Sequence, residues 1–339
     1  MGEDTAVPGD GSPASGDGEP RFRYLRLAAV LAVIVLGVVA GVAILNASLD
    51  PTEEQLRDQA GLTGRRELLI GVNDDRPGLS YRNAKTGQYE GFEIDIAYLI
   101  AAELGFRPTE VKFYPLDSEK RHSMQALSEN GFSYIQVDLV VASYSIKPER
   151  ERLRTVSFSE PYLRTTQSVV TRKDTSKEIE SLRELRGEAK SVCTLGTATS
   201  VTAAVAAGLD DELVERKKIH DCIDGLRDGR YEAVTTDAAI LAGWVDKYSD
   251  DLQDHDISLT TDEEYGVNTG GKEALRTLVD LALYRTLTDP RDGRWKDAYD
   301  KHLRPLQRTN ESPVAEAHQP FLTKPPVREM PWDERAEGR

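Results

Sequence analysis

Three short segments carry most of the recognisable chemistry in this chain. Ser143-Tyr144-Ser145-Ile146-Lys147-Pro148-Glu149-Arg150 follows an apolar run that ends at Ala142. A guanidinium such as that of Arg150 can hold a carboxylate through two parallel N–H bonds, a geometry closed to lysine. Ser143 and Ser145 add hydroxyl or backbone donors. Leu195-Gly196-Thr197-Ala198-Thr199-Ser200 is a small-residue turn before an alanine-rich stretch. A helix opening there leaves the N–H groups around Thr197, Ala198 and Thr199 free to receive an anion. Thr235-Thr236-Asp237 follows Glu232-Ala233-Val234, and Asp237 can take an ammonium beside the hydroxyl of Thr236. Each segment also has an ordinary explanation: a surface charge at Arg150, a capping turn at 196–200, a helix N-cap at Asp237. Taken together they supply a donor fork, a fixed anion and neutral hydrogen-bonding groups. That is the set needed to hold a carboxylate and an ammonium on one carbon.

Such groups converge only if strand ends bring them together, and the hydrophobic pattern points that way. Leu68-Leu69-Ile70-Gly71-Val72 reads as a buried strand, followed by a turn-rich loop over residues 73–78. Ile94, Ala97, Ile100, Ala101 and Leu104 repeat at helical spacing after Gly91-Phe92-Glu93, and Gly105 supplies the stop. Residues 111–113 read as a strand, 124–127 as part of a helix, and 137–142 as a strongly apolar strand. The alternation then repeats: strands at 191–193 and 231–234, and helices from about 199, at 223–227 and at 238–244. Further helices are expected around 273–287 and 294–303. This predicts an α/β fold of two units with mainly parallel sheets, and a ligand between them at the carboxyl ends of the strands.

Residues 27–45 are an unbroken run of apolar residues and glycine. A helix of that length reaches roughly 28 Å, close to a bilayer's hydrocarbon thickness. Arg21, Arg23 and Arg26 precede it and no Lys or Arg follows until Arg57. The asymmetry puts the N-terminus in the cytoplasm and the large C-terminal part outside the cell. A cleaved signal peptide is the alternative, although Asn46-Ala47-Ser48 is a poor cleavage site. No cysteine lies near the segment to carry a lipid. The expected layout is a disordered tail (1–23), a signal anchor (24–46), a polar, partly helical linker (47–66), the folded part, and an extended tail (307–339).

The net charge of −15 argues against nucleic acid as a partner. The two cysteines, Cys193 and Cys222, have no metal-ligand spacing and the five histidines are scattered, so neither a metal nor another cofactor is expected. Outside the cell, Cys193 and Cys222 can form a disulfide closing a loop of about thirty residues, worth roughly 3 to 4 kcal/mol. Two buried thiols are the other possibility.

In this order, the segments resemble the bacterial extracellular solute-binding proteins for polar amino acids, the receptor subunits of ABC importers. The matching pieces are Gly91-Phe92-Glu93-Ile94-Asp95, Ser145 to Arg150, Phe158-Ser159-Glu160-Pro161-Tyr162, the turn Gly196 to Ser200, Glu232 to Asp237, and Glu264-Tyr265-Gly266. Arg294-Trp295 and Tyr299 match the closing helix. The resemblance covers residues 67–306. It implies a periplasmic-binding-protein type II clamp with two crossing hinge strands, near 163–171 and 259–266. One lobe takes in 67–165 and 262–306, the other 166–261. By motif, Arg150 holds the α-carboxylate with Ser145 and the Thr197–Thr199 turn, and Asp237 holds the α-ammonium. Arg76 and Leu79 lie in the lobe-one loop and Arg121 lies ahead of Met124, where such proteins place pocket residues. If both arginines face the pocket they favour glutamate, aspartate or their amides; if they face solvent they do not. Two departures stand out: Gly78-Leu79 replaces the aromatic of the family's loop, and the connection 128–136 is long. The partner is then a free amino acid plus an ABC permease, or a membrane signalling protein if the clamp is a tethered sensor. An enzyme on this scaffold would need a general acid. Glu160 and Glu264 are the candidates, and neither has a visible base partner, so no catalytic residue is assigned.

Overall fold

The computed structural model describes residues 19–47, 50–174, 178–187, 191–255, 257, 263–308 and 319–328, and divides into two units, Met1–Asp50 and Pro51–Arg339. The first unit holds one helix, α1 (Glu19–Ala47). Its stretch Tyr24–Gly41 is long and apolar enough to cross a membrane. Pro20 in the first turn suits a helix start, so residues 19–23, expected in the disordered tail, are helical instead. The rest of that tail lies outside the described residues.

The second unit is ordered well before Glu67. α2 (Glu53–Gln59) opens with a reciprocal capping box between Thr52 and Gln55. Leu56, Ala60 and Leu62 are buried in the core, and Arg57 donates to the carbonyls of Glu103 and Leu104 at 2.6 and 2.8 Å. The expected linker is therefore docked from Pro51 onward.

The first lobe follows as β1 (Leu68–Val72), β2 (Asp75–Arg76), β3 (Ser80–Arg82), β4 (Tyr89–Glu90), α3 (Phe92–Glu103), β5 (Val111–Pro115), β6 (Gln125–Leu127), β7 (Tyr134–Gln136), β8 (Leu139–Val141) and α4 (Pro148–Glu151). Its central sheet is parallel, in the order β5-β1-β8. β1 is apolar on both faces because both are covered; Leu68, Ile70 and Val72 have no exposed surface. Gly91 enters α3 at φ 129°, and a Cβ there would collide with the Leu79 carbonyl, so only glycine fits.

Residues 124–127 are not helical. A 3₁₀ turn (Ser118–Ser123) ends at Met124 in the left-handed region, and β6 then pairs antiparallel with β7. Met124 and Ala126 are buried while Gln125 and Leu127 are half-exposed, which is the period of a strand. The long connection at 128–136 is the turn and return strand of this hairpin.

The chain crosses to the second lobe through β9 (Leu163–Thr165). Then come β10 (Gln167–Arg172), β11 (Val192–Leu195), α5 (Thr199–Ala206), β12 (Leu213–Arg216), α6 (Ile219–Arg227), β13 (Ala233–Asp237), α7 (Ala238–Lys247) and β14 (Leu252–His255). The sheet order is β12-β11-β13-β10-β14. β11 is parallel to both its neighbours, whereas β10 is antiparallel to β13 and β14. The second sheet is thus mixed rather than mainly parallel, because β10 enters it directly from the crossing strand without a helical crossover. β12, half polar, and β14, with three polar residues of four, are strands that hydrophobic pattern alone does not reveal.

β15 (Glu263–Tyr265) returns to the first lobe, antiparallel to β9, and the pair forms the two crossing strands. The expected hinge residues 259–262 lie outside the described residues. α8 (Glu273–Thr288) packs on α2 and α3, and α9 (Arg294–His302) packs on α3. The Trp295 indole donates to the Tyr162 carbonyl at 2.9 Å, next to β9.

The tail from 307 is not simply extended. Arg304–Arg308 is a 3₁₀ turn. Residues 319–328 fold back on the body, with Leu322 and Val327 buried. The Gln319 side chain bonds both the N–H and the carbonyl of Arg164 on β9, at 2.9 and 3.3 Å. At the other end the Arg328 N–H donates to the Pro51 carbonyl at 2.9 Å. Residues 309–318 and 329–339 lie outside the described residues.

Cys193 and Cys222 form a disulfide with Cα atoms 5.5 Å apart. It ties β11 to α6.

Candidate functional site

A small, tightly closed cavity lies where the strand ends of the two lobes meet. Arg76, Arg121, Ser143, Ser145 and Arg150 line it from the first lobe; Leu195, Ala198, Thr199, Thr236, Asp237 and Ile240 line it from the second. Nine of the eleven residues singled out from sequence for ligand contact are therefore in one place. Thr197 contributes through its carbonyl, which accepts from Arg150 Nη2 at 2.9 Å. Leu79 does not take part. With Gly78 at φ 82° turning the chain, Leu79 is fully buried in the apolar core beside α3.

Each side chain is fixed by its element. Arg76 ends β2 and is 1% exposed; it donates to the Ala142 carbonyl at 3.3 Å and to Ser118 Oγ at 3.1 Å. Arg121, on the 3₁₀ turn, donates to the carbonyls of Ser118 and Ser143 at 2.9 and 2.8 Å. Arg150, on α4, donates to the Ser145 carbonyl at 2.8 Å and reaches across to Thr197. Among the described residues these three guanidinium groups donate only to carbonyl and hydroxyl oxygens and to no carboxylate. The electrostatic consequence is direct. Burial, then the charges of Arg76 and Arg150, bring the Arg121 pKa down to about 9. The guanidinium carbons of Arg121 and Arg150 lie 4.7 and 4.9 Å from the centroid of the Tyr144 ring.

Ser143 sits at φ 43°, a left-handed backbone unusual for serine. Its N–H and hydroxyl both donate to Glu93 Oε1, at 2.5 and 2.7 Å, and the Tyr162 hydroxyl donates to the same oxygen at 2.7 Å. This buried cluster holds the strained turn that points the Ser143 carbonyl at Arg121.

In the second lobe β13 runs on through Asp237, three residues beyond the expected strand, because Gln167 and Ser168 of β10 pair with Asp237 and Thr236. Asp237 is the N-cap residue of α7 but makes no side-chain cap bond. Its Oδ2 accepts instead from the Tyr265 hydroxyl at 2.5 Å. Burial, then the nearby Glu263, push its pKa up to about 6 against the pull of Tyr265, Arg76 and Arg121. α5 opens at Ala198 with no side-chain cap, leaving its first turn uncapped beside the cavity. Asp237 Oδ1, Thr236 Oγ1 and Arg76 Nε are buried without a hydrogen-bond partner. Buried polar atoms are rarely left so. Here they present one acceptor, one hydroxyl and one cationic donor at a single cavity. Sequence reading missed Ile240, Tyr144, Glu93 and Tyr265 as parts of the site. Tyr144, Glu93 and Tyr265 stood in quoted motifs, but nothing local showed that Glu93 and Tyr265 act on Ser143 and Asp237 from other elements. No group of His, Cys, Asp and Glu suited to a metal occurs among the described residues.

Two lobes on separate sheets, two crossing strands and a polar cavity at their junction define a type II solute-binding clamp. Residues 68–305 match the bacterial extracellular solute-binding proteins, family 3, and the chain belongs to that family. It is 27% identical over 286 residues to the ABC transporter glutamine-binding protein GlnH of Bacillus subtilis, covering 83% of this chain and 96% of that one. It is 30% identical over 206 residues to the glutamate-binding protein GluB of Corynebacterium glutamicum, covering 58% of this chain and 66% of that one. Among solved structures, an ancestral arginine-binding protein bound to glutamine superposes with a TM-score of 0.59 at 26% identity, over 70% of this chain and 98% of that one.

Proposed function

We propose that the protein is an extracellular receptor for a free acidic amino acid, glutamate or aspartate, with their amides bound more weakly, and that it delivers this ligand to an ABC permease. Arg150, Ser145 and the open first turn of α5 take the α-carboxylate. Asp237 and Thr236 take the α-ammonium. The observation that carries the choice of an acidic ligand is the set of three cavity arginines with no carboxylate among their hydrogen-bond partners. A buried cation without an anionic partner is costly, and one α-carboxylate answers only one of them. A side-chain carboxylate beside Arg76 and Arg121 answers the rest. Residues 67–165 with 262–306 form one lobe in this reading, and 166–261 the other.

α1 is the membrane anchor in the same reading, with Arg21, Arg23 and Arg26 on the cytoplasmic side. The test is calorimetric titration of residues 47–339, disulfide intact, against the twenty amino acids. Glutamate or aspartate should bind tightest, and Arg121→Met should erase the preference for acid over amide while leaving the α-group contacts in place. Tightest binding of a neutral or basic amino acid would overturn the acidic assignment. A full-length N-terminus on the membrane-bound protein, determined by mass spectrometry, checks the anchor.

A second reading, a membrane-tethered amino-acid sensor, draws support from the packing of α2 on the first lobe, which leaves few residues of sequence between α1 and the folded body. Uptake of labelled ligand that persists when this chain is deleted would favour sensing.

A further inference from the structure

Away from the ligand cavity, a second set of groups joins the two lobes. In the first lobe, Asp74 and Asp75 lie at β2, and Asp117 and Glu119 lie after β5. In the second, Lys217, Lys218 and His220 lie at the junction of β12 and α6. Asp75 Oδ2 accepts the N–H of Ile219 at 2.9 Å and that of His220 at 3.5 Å. The N-cap position of α6, Lys218, provides no side-chain cap. The helix receives its capping carboxylate from the opposite lobe, 144 residues away in sequence. Lys218 Nζ lies 2.6 Å from Asp74 Oδ1 and 3.5 Å from Asp117 Oδ1, and Lys217 Nζ lies 3.9 Å from Glu119. In each of these interlobe contacts the carboxylate comes from the first lobe; within the second lobe His220 also lies 3.3 Å from Asp221.

These groups do not line the cavity, and every contact named depends on the lobes being together. Asp75 is 8% exposed, and the Lys218 side chain is 21% exposed. Burial lowers the Lys218 pKa, but Asp74, Asp75 and Asp117 outweigh it and the net shift is upward. For Asp75, burial pushes upward and is outweighed by His220, Arg76 and Lys218, so its carboxylate titrates below the usual range. Opening would break a helix cap and a three-centre ion cluster, and would return each group to water.

We propose that Asp75 and Lys218 are affinity determinants that touch no ligand: they latch the closed clamp and set how slowly bound ligand leaves. The proposal rests on the clamp reading above, and it extends that reading to residues outside the site. The latch is also wired to the site. Asp75 is followed directly by Arg76, and α6 is tied through Cys222–Cys193 to the strand that leads into the Thr197–Thr199 turn.

The test is stopped-flow binding of the amino acid found by titration to wild type, Lys218→Met, Lys218→Arg and Asp75→Ala. An interlobe distance between spin labels is read in parallel, with and without ligand. Lys218→Met and Asp75→Ala should each raise koff on the order of 10-fold, with kon within about 2-fold, because the latch forms after encounter. Lys218→Arg should keep koff near wild type, an outcome that generic disruption of the fold would not produce. In wild type koff should rise with salt, and in Lys218→Met that dependence should shrink. A koff in Lys218→Met and Asp75→Ala within 2-fold of wild type, at an unchanged ligand-bound interlobe distance, overturns the proposal. If no amino acid binds wild type, the ligand assignment fails and the distance arm decides alone. Ligand-free wild type should then sample shorter interlobe distances than Lys218→Met, and identical distributions would sink the latch. Asp75→Ala tests the cap separately should Lys218→Met fold poorly, with thermal melts of the ligand-free variants as the control.

Discussion

Removing the Cys193–Cys222 disulfide should weaken the protein in two measurable ways. The cysteines are 29 residues apart and both side chains are fully buried. Closing a loop of about thirty residues removes roughly 3 to 4 kcal/mol of unfolded-state freedom in the chain-entropy description. For a body of residues 51–339, at about 2.1 cal/mol/K per residue, the unfolding entropy is near 0.6 kcal/mol/K. The double variant Cys193→Ala/Cys222→Ala should therefore melt about 6 °C below wild type by calorimetry. The second effect is local. The bond ties β11, just ahead of the Thr197–Thr199 turn, to α6, whose first turn is capped by Asp75. Loosening it frees two elements that close on the ligand, so affinity should fall several-fold, with koff carrying the change. A Tm within about 1 °C of wild type would mean that the unfolded chain is already compact around this loop. An unchanged koff alongside a lowered Tm would refute the link between the disulfide and the closing surfaces while leaving its stabilising role intact.

Ligand affinity should be flat above about pH 7 and fall up to about tenfold per pH unit below pH 6, because the ammonium needs Asp237 ionised and its pKa is raised to about 6; titrations at five pH values check this. A carboxyl whose folded-state pKa is raised contributes stability that is complete below the unfolded value near 3.8 and lost as pH rises through the folded one. Asp280, lifted to about 7 chiefly by burial, behaves the same way. Asp280→Asn should accordingly stabilise the protein at pH 8, by on the order of 2 to 4 kcal/mol, read as a higher Tm, and change Tm little at pH 4; equal effects at both would refute the shift. Gly243 on α7 lies so close to Pro77 of the first lobe that a Cβ would strike the Pro77 carbonyl. Gly243→Ala should weaken ligand binding at least tenfold while the ligand-free protein melts near wild type, and full affinity in that variant would show that the lobes need not approach so closely.

Much of the fold was readable because its strongest elements combine length, periodicity and clear stops. α3 announces itself by Ile94, Ile100 and Leu104 at helical spacing and by Gly105, and β1 by an apolar run with both faces covered. β12 and β14 were invisible because two of four residues in β12 and three of four in β14 are polar, and their partners are distant in sequence. The stretch 124–127 misled because four residues do not separate a period of 3.6 from one of 2. The site was legible where a short motif carries its own chemistry, as at Arg150 and Asp237. It was not legible where the chemistry is supplied from elsewhere. Nothing near Asp237 in sequence hints at Tyr265, whose hydroxyl replaces the expected cap interaction. Leu79 illustrates the converse: in a loop that contributes Arg76 to the cavity, an apolar side chain three positions on turns inward to the core.

The return of residues 319–328 to the start of the body has a practical side. Arg328 and Pro51 are hydrogen-bonded neighbours, so the folded part enters and leaves space at almost the same point. A soluble version could be joined end to end there by a short linker and reopened at a remote turn, such as the tip of the β6–β7 hairpin around Phe132, without re-routing the core. The same joining point also means that a cargo fused after Arg328 starts beside Pro51, the first residue of the folded body.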